Sequence, residues 1–271
     1  MYSNIKIKTP KEIEKMRVAG KLAAQLLVMI EKYVKPGVTT NELNEICHNY
    51  IIDKQHAIPA PLNYQPSGYK KPFPKSICTS VNDEICHGIP SDRILITGDI
   101  VNVDVTIIKD GYHGDTSKTF FVGNPSKSEK DQQALRLIKI AQECLYSAIK
   151  PLKSGIKSNI IGQKIQEIAQ KAGFSVVREY CGHGIGQAFH EEPHVLHYKN
   201  YNPLNDFILK EGMIFTIEPM INFGSRETKL AADGWTVVTK DHSLSAQWEH
   251  TILITKNNAE VLTLRPNETI M

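Results

Sequence analysis

The sequence is poor in cysteine, and its cysteines follow no pattern typical of a disulfide framework or a thiolate metal site. Five cysteines are scattered along 271 residues, and no two of them stand at CxxC spacing. An odd and unpatterned set of thiols is typical of a reducing compartment. We therefore expect a cytoplasmic protein without a structural zinc site of the thiolate type.

Long apolar runs and a strong net charge are also missing. The apolar stretch 22–30 contains Gln25 and is too short for a bilayer span, which needs roughly 20 residues. The first residues lack the apolar core of a secretory leader, and a formal net charge of +3 gives no indication of a nucleic-acid partner. No Pro/Gly/Ser-rich linker divides the chain, so we expect one domain over residues 1–271. We expect no membrane partner and no nucleic acid as substrate.

What the sequence does have is a set of carboxylates in or beside apolar runs that are typical of strands. The runs 100–108, 214–221 and 243–254 contain no Lys or Arg, although carboxylates are rarely buried without a positive partner. Such a cluster predicts an external cation, and oxygen ligands with one imidazole suit Mn, Fe, Co or Zn. A structural ion pair with a distant Arg or Lys is the competing interpretation. The candidate metal ligands are Asp104, Asp115, His183, Glu218 and Glu249.

The first two carboxylates lie on a predicted β-hairpin. Asp110-Gly111 favours a type I′ turn, which places Asp104 opposite Ser117. Asp115 then shares a face with Asp104 as a diagonal neighbour, roughly 7–8 Å away at the backbone. Carboxylates at that spacing can reach one ion or a pair of ions. Two exposed aspartates on a solvated sheet face are the alternative.

Three histidines stand in glycine-rich or turn-like surroundings. His183 lies between Gly182 and Gly184, His190 follows soon after, and His87 precedes a glycine. Glycine lets the backbone approach a ligand closely and permits positive φ, so these histidines are candidates for ligation or catalysis. Other histidines lack such a context and are expected at the surface or in local polar contacts: His56, His113, His194, His197 and His242.

The two halves of the chain share a weak internal similarity. Segment 35–43 resembles 153–161, and segment 98–104 resembles 212–218, which matches a carboxylate with a carboxylate. The capping pattern Thr9-Pro10-Lys-Glu12 and the apolar period predict a helix to about Val34. Further helices are predicted over about 41–53, 129–150 and 158–172, and strands over 175–179, 236–240 and the two glutamate runs. We expect an α+β protein with a mostly antiparallel sheet.

Several motifs resemble the signature of the type I methionine aminopeptidases. They are Cys86-His87-Gly-Ile-Pro, Val103-Asp104-Val, Gly114-Asp115-Thr-Ser, Tyr180-Cys-Gly-His183-Gly-Ile-Gly-Gln-Ala-Phe189-His190, Phe215-Thr-Ile-Glu218-Pro-Met and Leu244-Ser-Ala-Gln-Trp-Glu249-His-Thr. The resemblance covers about residues 8–264 and implies the pita-bread fold, with two pseudo-symmetric αβ halves (about 8–125 and 126–264) around an antiparallel sheet. The lack of a zinc-binding N-terminal extension, and of a helical insertion between His190 and Glu218, indicates the short bacterial form. Residues 65–71 look like an insertion where the family has a short loop near the substrate pocket.

The resemblance also implies a role for each candidate residue. Asp104, Asp115, His183, Glu218 and Glu249 would hold two divalent metal ions (Co, Mn, Fe or Zn) that activate water for attack on the first peptide bond. Glu218 would also transfer the proton, His190 would hydrogen-bond the scissile carbonyl, and His87 would contact the second residue. The methionine side chain would lie in an apolar pocket formed by Tyr64, Phe73, Cys78, Phe189 and Trp235.

The implied activity is removal of the initiator methionine when the second residue is small. The partners would be peptide and nascent-protein N-termini, with the ribosome as a further partner, and the protein would be a monomer. One alternative is a proline-specific peptidase of the same fold, which shares the ligand set but usually carries a long N-terminal domain. The other is a metal-free binding module of that fold, which would have lost ligands that this chain keeps.

Overall fold

The structure, a computed structural model, describes residues 4–270 of the chain. Within this range the α-helices are α1 (Pro10–Glu31), α2 (Thr40–Asn49), α3 (Glu129–Ile149) and α4 (Asn159–Lys171). A short π-helix, Tyr50–Lys54, continues α2, and a 3₁₀ turn spans Pro203–Asn205. No helix within residues 4–270 is long and apolar enough to cross a membrane.

The strands form four small sheets in which every pairing is antiparallel. They are β1 (Ile58–Pro59), β2 (Cys78–Val81), β3 (Glu84–Cys86), β4 (Ile100–Lys109), β5 (Tyr112–Phe121), β6 (Ser175–Val176), β7 (Gly182–Gly184), β8 (Glu191–Val195), β9 (Ile214–Ile217), β10 (Met220–Asn222), β11 (Thr228–Leu230), β12 (Val237–Thr239), β13 (Ser245–Gln247), β14 (His250–Ile254) and β15 (Ala259–Val261). In the first sheet β4 pairs with β1, β2 and β5. The others have the orders β13-β10-β6, β11-β12-β3 and β15-β14-β9-β7-β8.

Helices α1 and α2 begin as their sequences predict. In both, a threonine hydroxyl accepts the backbone N–H three residues on, and the glutamate there accepts the threonine N–H; the pairs are Thr9–Glu12 and Thr39–Glu42. These capping boxes satisfy backbone donors that the first turn leaves free. The second helix differs from its prediction, because its backbone changes from α to π at Tyr50, and an apolar period does not distinguish one π turn from an α turn.

Strands β4 and β5 form the predicted hairpin. Asp110 and Gly111 both have positive φ, at 50° and 79°, as a type I′ turn requires. Asp104 pairs with Ser117, and Asp115 pairs with Thr106, so the two aspartates are diagonal neighbours on one face. Asp115 is only 4% exposed, so the alternative of a solvated sheet face is wrong.

The runs around Glu218 and Glu249 are strands, as predicted, but each is interrupted at its glutamate. Glu218 and Pro219 separate β9 from β10, and Trp248 and Glu249 separate β13 from β14. The interruptions lie beside each other, because β9 pairs with β14 and β10 pairs with β13. Proline cannot donate to a ladder, so the chain leaves the sheet at Glu218 and turns both carboxylates toward the same interior space. The predicted strand over 175–179 is shorter, since only Ser175–Val176 pairs with a neighbour.

The internal similarity of the sequence corresponds to repeated backbone geometry. Gly37 N–H donates to the Leu95 carbonyl at 2.8 Å, and Gly155 N–H donates to the Leu209 carbonyl at the same distance. Isolated bridges join Thr39 to Ile94 in one half and Lys157 to Ile208 in the other. Each bridge precedes a strand that leads to a candidate ligand, because β4 contains Asp104 and β9 ends directly before Glu218.

Two main apolar clusters hold the helices against the sheets. Leu26, Ile30 and Leu43 of α1 and α2 pack against one face of β4, formed by alternate residues from Val101 to Ile107. Helices α3 and α4 pack in the same way against β9, β10, β13 and β14. Burial of each large aliphatic side chain contributes roughly 1.5–3 kcal/mol. Since strand side chains alternate, the opposite face of β4 presents Asp104 to the interior between the halves.

Candidate metal centre

All the candidate residues from the sequence line one cavity of about 330 Å³. Its floor is formed by the carboxylates of the central strands together with His183. Its walls are mostly apolar. Asp104 and Asp115 come from the first half of the chain, and His183, Glu218 and Glu249 come from the second. The cavity is therefore built where the halves meet.

The floor residues are close enough to share a cation. His183 Nε2 lies 3.7 Å from Asp115 Oδ2 and 3.7 Å from Glu218 Oε1. One ligand atom from each of Asp115, His183 and Glu249 lies within 4.8 Å of the others. Glu249 is also a neighbour of Asp104, because its side chain lowers the pKa of Asp104 against the larger effect of burial. A histidine nitrogen and several carboxylate oxygens in this arrangement form a ligand set suited to divalent first-row metals.

Neutral donors hold these ligands in place. Thr106 Oγ1 donates to Asp115 Oδ1 at 2.8 Å, and Thr216 Oγ1 donates to Glu218 Oε1 at 2.8 Å. The second Glu218 oxygen accepts from Gln247 Nε2 at 3.3 Å. His183 Nδ1 lies 2.9 Å from the Gly184 carbonyl, so Nδ1 carries the proton and Nε2 presents its lone pair to the cavity. Such outer contacts orient metal ligands and fix the imidazole tautomer.

The electrostatics of the floor favour a cation. Burial raises the pKa of Asp104 to about 7 and that of Glu218 to about 8. Burial, followed by the neighbouring carboxylates, raises the pKa of Asp115 and Glu249 well above their usual range. Asp104 Oδ1 is buried and has no hydrogen-bond partner among residues 4–270. The four acids therefore stay ionised at neutral pH only when a positive charge joins them.

The competing interpretation is that the buried carboxylates form structural ion pairs with an Arg or Lys that is distant in sequence. Arg265 is the candidate for such a partner. This guanidinium lowers the pKa of Glu249, although burial dominates and the net shift is upward. Its Nη2 donates to Glu268 at 2.7 Å and its Nη1 donates to Thr116. Within residues 4–270, no Lys or Arg forms a salt bridge with the four floor carboxylates. Arg265 supports the loop around Glu249 and leaves the carboxylates open to a metal.

His87 is held in an uncommon backbone conformation beside the cavity. Its φ is 57°, a left-handed value that costs of order 1–3 kcal/mol for a residue other than glycine. A Cβ on the next residue, Gly88, would meet the Thr79 carbonyl oxygen at 2.2 Å, so this turn is packed tightly on β2. The buried Nδ1 of His87 has no partner among the described residues, and burial lowers the pKa of His87 to about 4. A neutral, strained and unpaired imidazole at a cavity is typical of a ligand-binding group.

His190 connects the metal ligands to the apolar wall. Its ring centroid lies 4.0 Å from that of His183 and 4.5 Å from that of Phe189. Its Nδ1 lies 2.7 Å from the Tyr64 hydroxyl. A hydrogen bond at Nδ1 leaves Nε2 as the nitrogen that faces a substrate.

The apolar wall contains the residues expected around a methionine side chain. Phe73, Cys78 and Trp235 form one buried cluster, with Tyr64, Tyr69 and Ile89 packed against it. Segment 65–71, which the sequence suggests is an insertion, forms a loop between two of these residues, because Phe73 N–H donates to the Tyr64 carbonyl at 2.8 Å and closes the loop at its base. The insertion also adds two residues to the cavity lining, Pro66 and Tyr69.

Two histidines expected at the surface or in local contacts are buried parts of the site. His197 is fully buried, and its Nε2 accepts the backbone N–H of Glu218 at 3.2 Å. His113 is 7% exposed, and its ring stacks on Phe189 with centroids 5.5 Å apart. The expectation is wrong for both, because their partners are distant in sequence. His56, His194 and His242 are exposed, as expected.

Sequence reasoning also missed the donors Thr106 and Thr216. A signal was present: each stands two residues from a candidate ligand, and strand alternation places residues i and i+2 on the same face. A threonine on the ligand face of a buried strand is therefore a candidate donor to a ligand: Thr216 donates to Glu218, two residues on, and Thr106 donates to Asp115, its partner across the hairpin. His197 had no such signal.

With the geometry described, the comparisons with known proteins are informative. The model of metallopeptidase family M24 matches residues 14–256, and the chain belongs to this family of pita-bread enzymes. Within it, the chain falls among the short bacterial methionine aminopeptidases. It is 57% identical to the methionine aminopeptidase of Escherichia coli (strain K12) over 267 residues, which are 98% of this chain and 96% of that protein. It is 58% identical to that of Buchnera aphidicola subsp. Schizaphis graminum (strain Sg) over 268 residues, covering 98% and 97% of the two chains. A crystal structure of methionine aminopeptidase from Rickettsia prowazekii matches with a TM-score of 0.89 and 51% identity, covering 96% of this chain and 100% of the other.

Proposed function

We propose that this protein removes the N-terminal methionine from peptides and nascent proteins whose second residue is small, by metal-dependent hydrolysis. The observation that carries the proposal is the cavity itself: a floor of buried carboxylates with one histidine, beneath an apolar wall. The floor supplies ligands for a divalent metal, and the wall suits one unbranched apolar side chain. Both features are needed for an enzyme that recognises methionine and cleaves the bond after it.

We assign the metal ligands to Asp104, Asp115, His183, Glu218 and Glu249, and propose that they hold two ions of Co, Mn, Fe or Zn. The unpartnered Asp104 Oδ1 and the free Nε2 of His183 support this assignment. Divalent metals at such a site polarise a carbonyl and lower the pKa of water.

The remaining steps are assigned to the chain's own residues. Glu218, which a bound divalent metal would keep ionised despite its burial, accepts a proton from the attacking water and returns it to the leaving amine. His190, fixed by the Tyr64 hydroxyl at Nδ1, donates from Nε2 to the scissile carbonyl and stabilises its developing charge. His87, whose Nδ1 has no partner among residues 4–270, contacts the backbone of the second residue. Tyr64, Phe73, Cys78, Phe189 and Trp235 hold the methionine side chain and exclude water.

We also propose the setting in which this activity takes place. Because the cavity takes ligands from both halves, residues 1–271 act as one catalytic domain with halves at about 8–125 and 126–264. The enzyme works in the cytoplasm as a monomer, on nascent chains at the ribosome as well as on released proteins.

A proline-specific activity is not favoured by the comparisons, since relatives of more than half identity over nearly the full length are methionine aminopeptidases. A metal-free binding module is not favoured by the floor, because four buried carboxylates without a cation would be costly to keep ionised. The two alternatives and the proposed function differ in the peptides that they expect the protein to cleave and in whether the protein binds metal.

The test is turnover of Met-Ala-Ser and of an Ala-Pro-Ser peptide by purified protein of known metal content. We expect Met-Ala-Ser to be cleaved, only when divalent metal is bound, and Ala-Pro-Ser to be left intact. Cleavage of the proline peptide alone would support the proline-specific alternative. Purified protein that binds no metal and cleaves neither peptide would support the binding module.

A further inference from the structure

The insertion at 65–71 closes into a small, well-anchored loop over the cavity. At its base, Asn63 N–H donates to the Phe73 carbonyl at 2.9 Å, and Phe73 N–H donates to the Tyr64 carbonyl at 2.8 Å. At its tip, Tyr69 N–H donates to the Pro66 carbonyl, and Gln65 Nε2 donates to the Tyr69 carbonyl at 2.9 Å. These bonds fix the backbone at Tyr69.

Trp235 fixes the loop from the other side of the cavity. The rings of Tyr69 and Trp235 stack with centroids 4.1 Å apart and planes inclined by 30°. Trp235 Nε1 also donates to the Lys71 carbonyl at 3.1 Å. Aromatic pairs in this geometry contribute about 0.5–1.5 kcal/mol beyond their burial, so ring stacking and a hydrogen bond together hold the loop against the wall.

Tyr69 lies in a more exposed part of the cavity lining than Phe73 and Trp235. Phe73 and Trp235 are 2% and 6% exposed, whereas Tyr69 and Tyr180 are half-buried. Burial, and to a smaller extent Cys86, raises the pKa of Tyr69, and Tyr69 in turn contributes to the raised pKa of Tyr180. Both tyrosines line this more exposed part of the cavity.

This end of the cavity is where the second residue of a substrate would lie. The His87 ring packs edge-on against Trp235, with centroids 6.3 Å apart, and against Tyr180, with centroids 5.8 Å apart. The proposed function places His87 at the second residue. Tyr69 stacks on Trp235, the ring that His87 also contacts, and is therefore on the same side.

We propose that Tyr69, supplied by the inserted loop, is a specificity-determining residue that limits the size of the second residue of the substrate. This inference rests on the proposed function, and it assigns part of the selection for small second residues to this loop. The ring surface sets the limit, because ring stacking rather than a hydrogen bond from the hydroxyl fixes Tyr69 on Trp235.

The experiment compares kcat/KM for Met-Ala-Ser and Met-Val-Ser in the metal-loaded enzyme. In Tyr69→Ala, we expect the Met-Val-Ser to Met-Ala-Ser ratio to rise about tenfold or more, the scale on which pockets discriminate by small differences in side-chain size. Tyr69→Phe should keep the parent ratio, since it keeps the ring. Tyr69→Trp should lower Met-Thr-Ser turnover relative to Met-Ala-Ser.

Two controls separate this role from a structural one. Tyr201→Ala removes an aromatic side chain that is 83% exposed and should leave all ratios unchanged. Selection of the first residue, measured as norleucine-Ala-Ser against Met-Ala-Ser, should also stay constant in Tyr69→Ala, while circular dichroism and Tm verify the fold.

An unchanged second-residue ratio in folded Tyr69→Ala would overturn the inference, and so would a change in first-residue selection alone. Either result leaves the proposed function standing, provided that the parent enzyme cleaves Met-Ala-Ser. Failure of the parent itself on Met-Ala-Ser would count against the proposed function instead.

Discussion

Neutral neighbours hold the Glu218 carboxylate in place by hydrogen bonds. Its two oxygens accept from Thr216 and Gln247, and its backbone N–H donates to His197. These contacts fix the carboxylate without neutralising it. Its charge therefore stays available to a metal, and its raised pKa suits proton transfer near neutral pH.

Replacement of Glu218 by Gln should abolish turnover of Met-Ala-Ser while the protein remains folded. The amide keeps the volume of the side chain but loses the negative charge and the proton-accepting oxygen. Turnover at saturating metal and the Tm of the apo protein provide the measurement. Glu211→Gln, at an exposed position, is the matched control; residual turnover within tenfold of the parent would contradict the assigned role.

Replacement of Thr216 by Val should weaken metal binding without removing a ligand. The variant keeps the shape of the side chain but loses the hydroxyl that donates to Glu218 and accepts the His183 N–H. Loss of such an outer contact typically costs 10–100-fold in metal affinity. Calorimetric titration with Mn²⁺ measures it, with Thr239→Val as a buried threonine elsewhere in the fold. Equal affinities in the two variants would show that Thr216 only fills space.

Among single residues, the sequence predicted those candidate ligands that belong to a recognisable local sequence pattern. Asp104 and Asp115 follow from the turn residues and strand alternation, and Glu218 and Glu249 follow from their apolar runs. His197 was missed because it lies beside Glu218 only through the folding of separate segments, and a lone histidine in a loop carries no sign of that contact. Tyr69 was missed because a loop sequence does not indicate which aromatic residue its closure will direct onto Trp235.

At the scale of elements, the contact of α1 with β5 determines where Asp115 lies. A Cβ added to Gly114 would meet backbone atoms of Ala19 and Gly20 at 2.4 Å. The helix therefore touches the strand directly beside the candidate ligand. Helix α1 and the β4–β5 hairpin were both predictable from their capping and turn residues. The close contact between α1 and β5 at Gly114 was not, because it brings together backbones from different parts of the chain.

Gly114→Ala should destabilise the protein, because a methyl group against backbone cannot be relieved by a side-chain rotation. Overpacking of this kind typically costs 1–3 kcal/mol, and it should also reduce metal affinity by displacing Asp115. Urea unfolding and Mn²⁺ titration measure the two effects. Gly111→Asn is the control, since its site is open and asparagine tolerates positive φ; a Gly114→Ala protein as stable as that control would contradict the close contact.

At the scale of the whole molecule, the metal centre joins the two halves of the chain. The hairpin of the first half supplies Asp104 and Asp115, and the second half supplies His183, Glu218 and Glu249. The internal repeat in sequence predicts two halves, and bridges at Thr39 and Lys157 occupy corresponding positions in the two repeated segments. With metal absent, ionisation of these carboxyl groups would bring like charges from the two halves together in a buried space, so pH should affect the stability of the whole protein.

The sign of this effect follows from two sets of buried groups. Burial lowers the pKa of His87 and His183 to about 4, whereas an unfolded histidine has a pKa of about 6.5. The unfolded state therefore binds more protons at these two histidines between about pH 4 and 6.5, and their contribution to the free energy of unfolding rises with pH in that range. Burial raises the pKa of Asp104 to about 7 and of Glu218 to about 8, whereas both ionise near pH 4 when unfolded. Their contribution to stability is present at low pH and is lost as pH rises through the folded values. The two effects oppose each other below pH 6.5, and only the carboxylates act above it.

The metal-free protein should therefore lose stability between about pH 6.5 and 8.5, where the native state binds more protons than the unfolded state. Each such proton changes the free energy of unfolding by about 1.4 kcal/mol per pH unit. Urea unfolding in EDTA at several pH values in this range measures the slope. Bound Mn²⁺ should flatten the slope, because it keeps the carboxylates ionised in the native state, and Glu218→Gln should reduce it in EDTA. A metal-free stability that stays constant or rises from pH 6.5 to 8.5 would show that these carboxylates are already ionised at neutral pH without a cation.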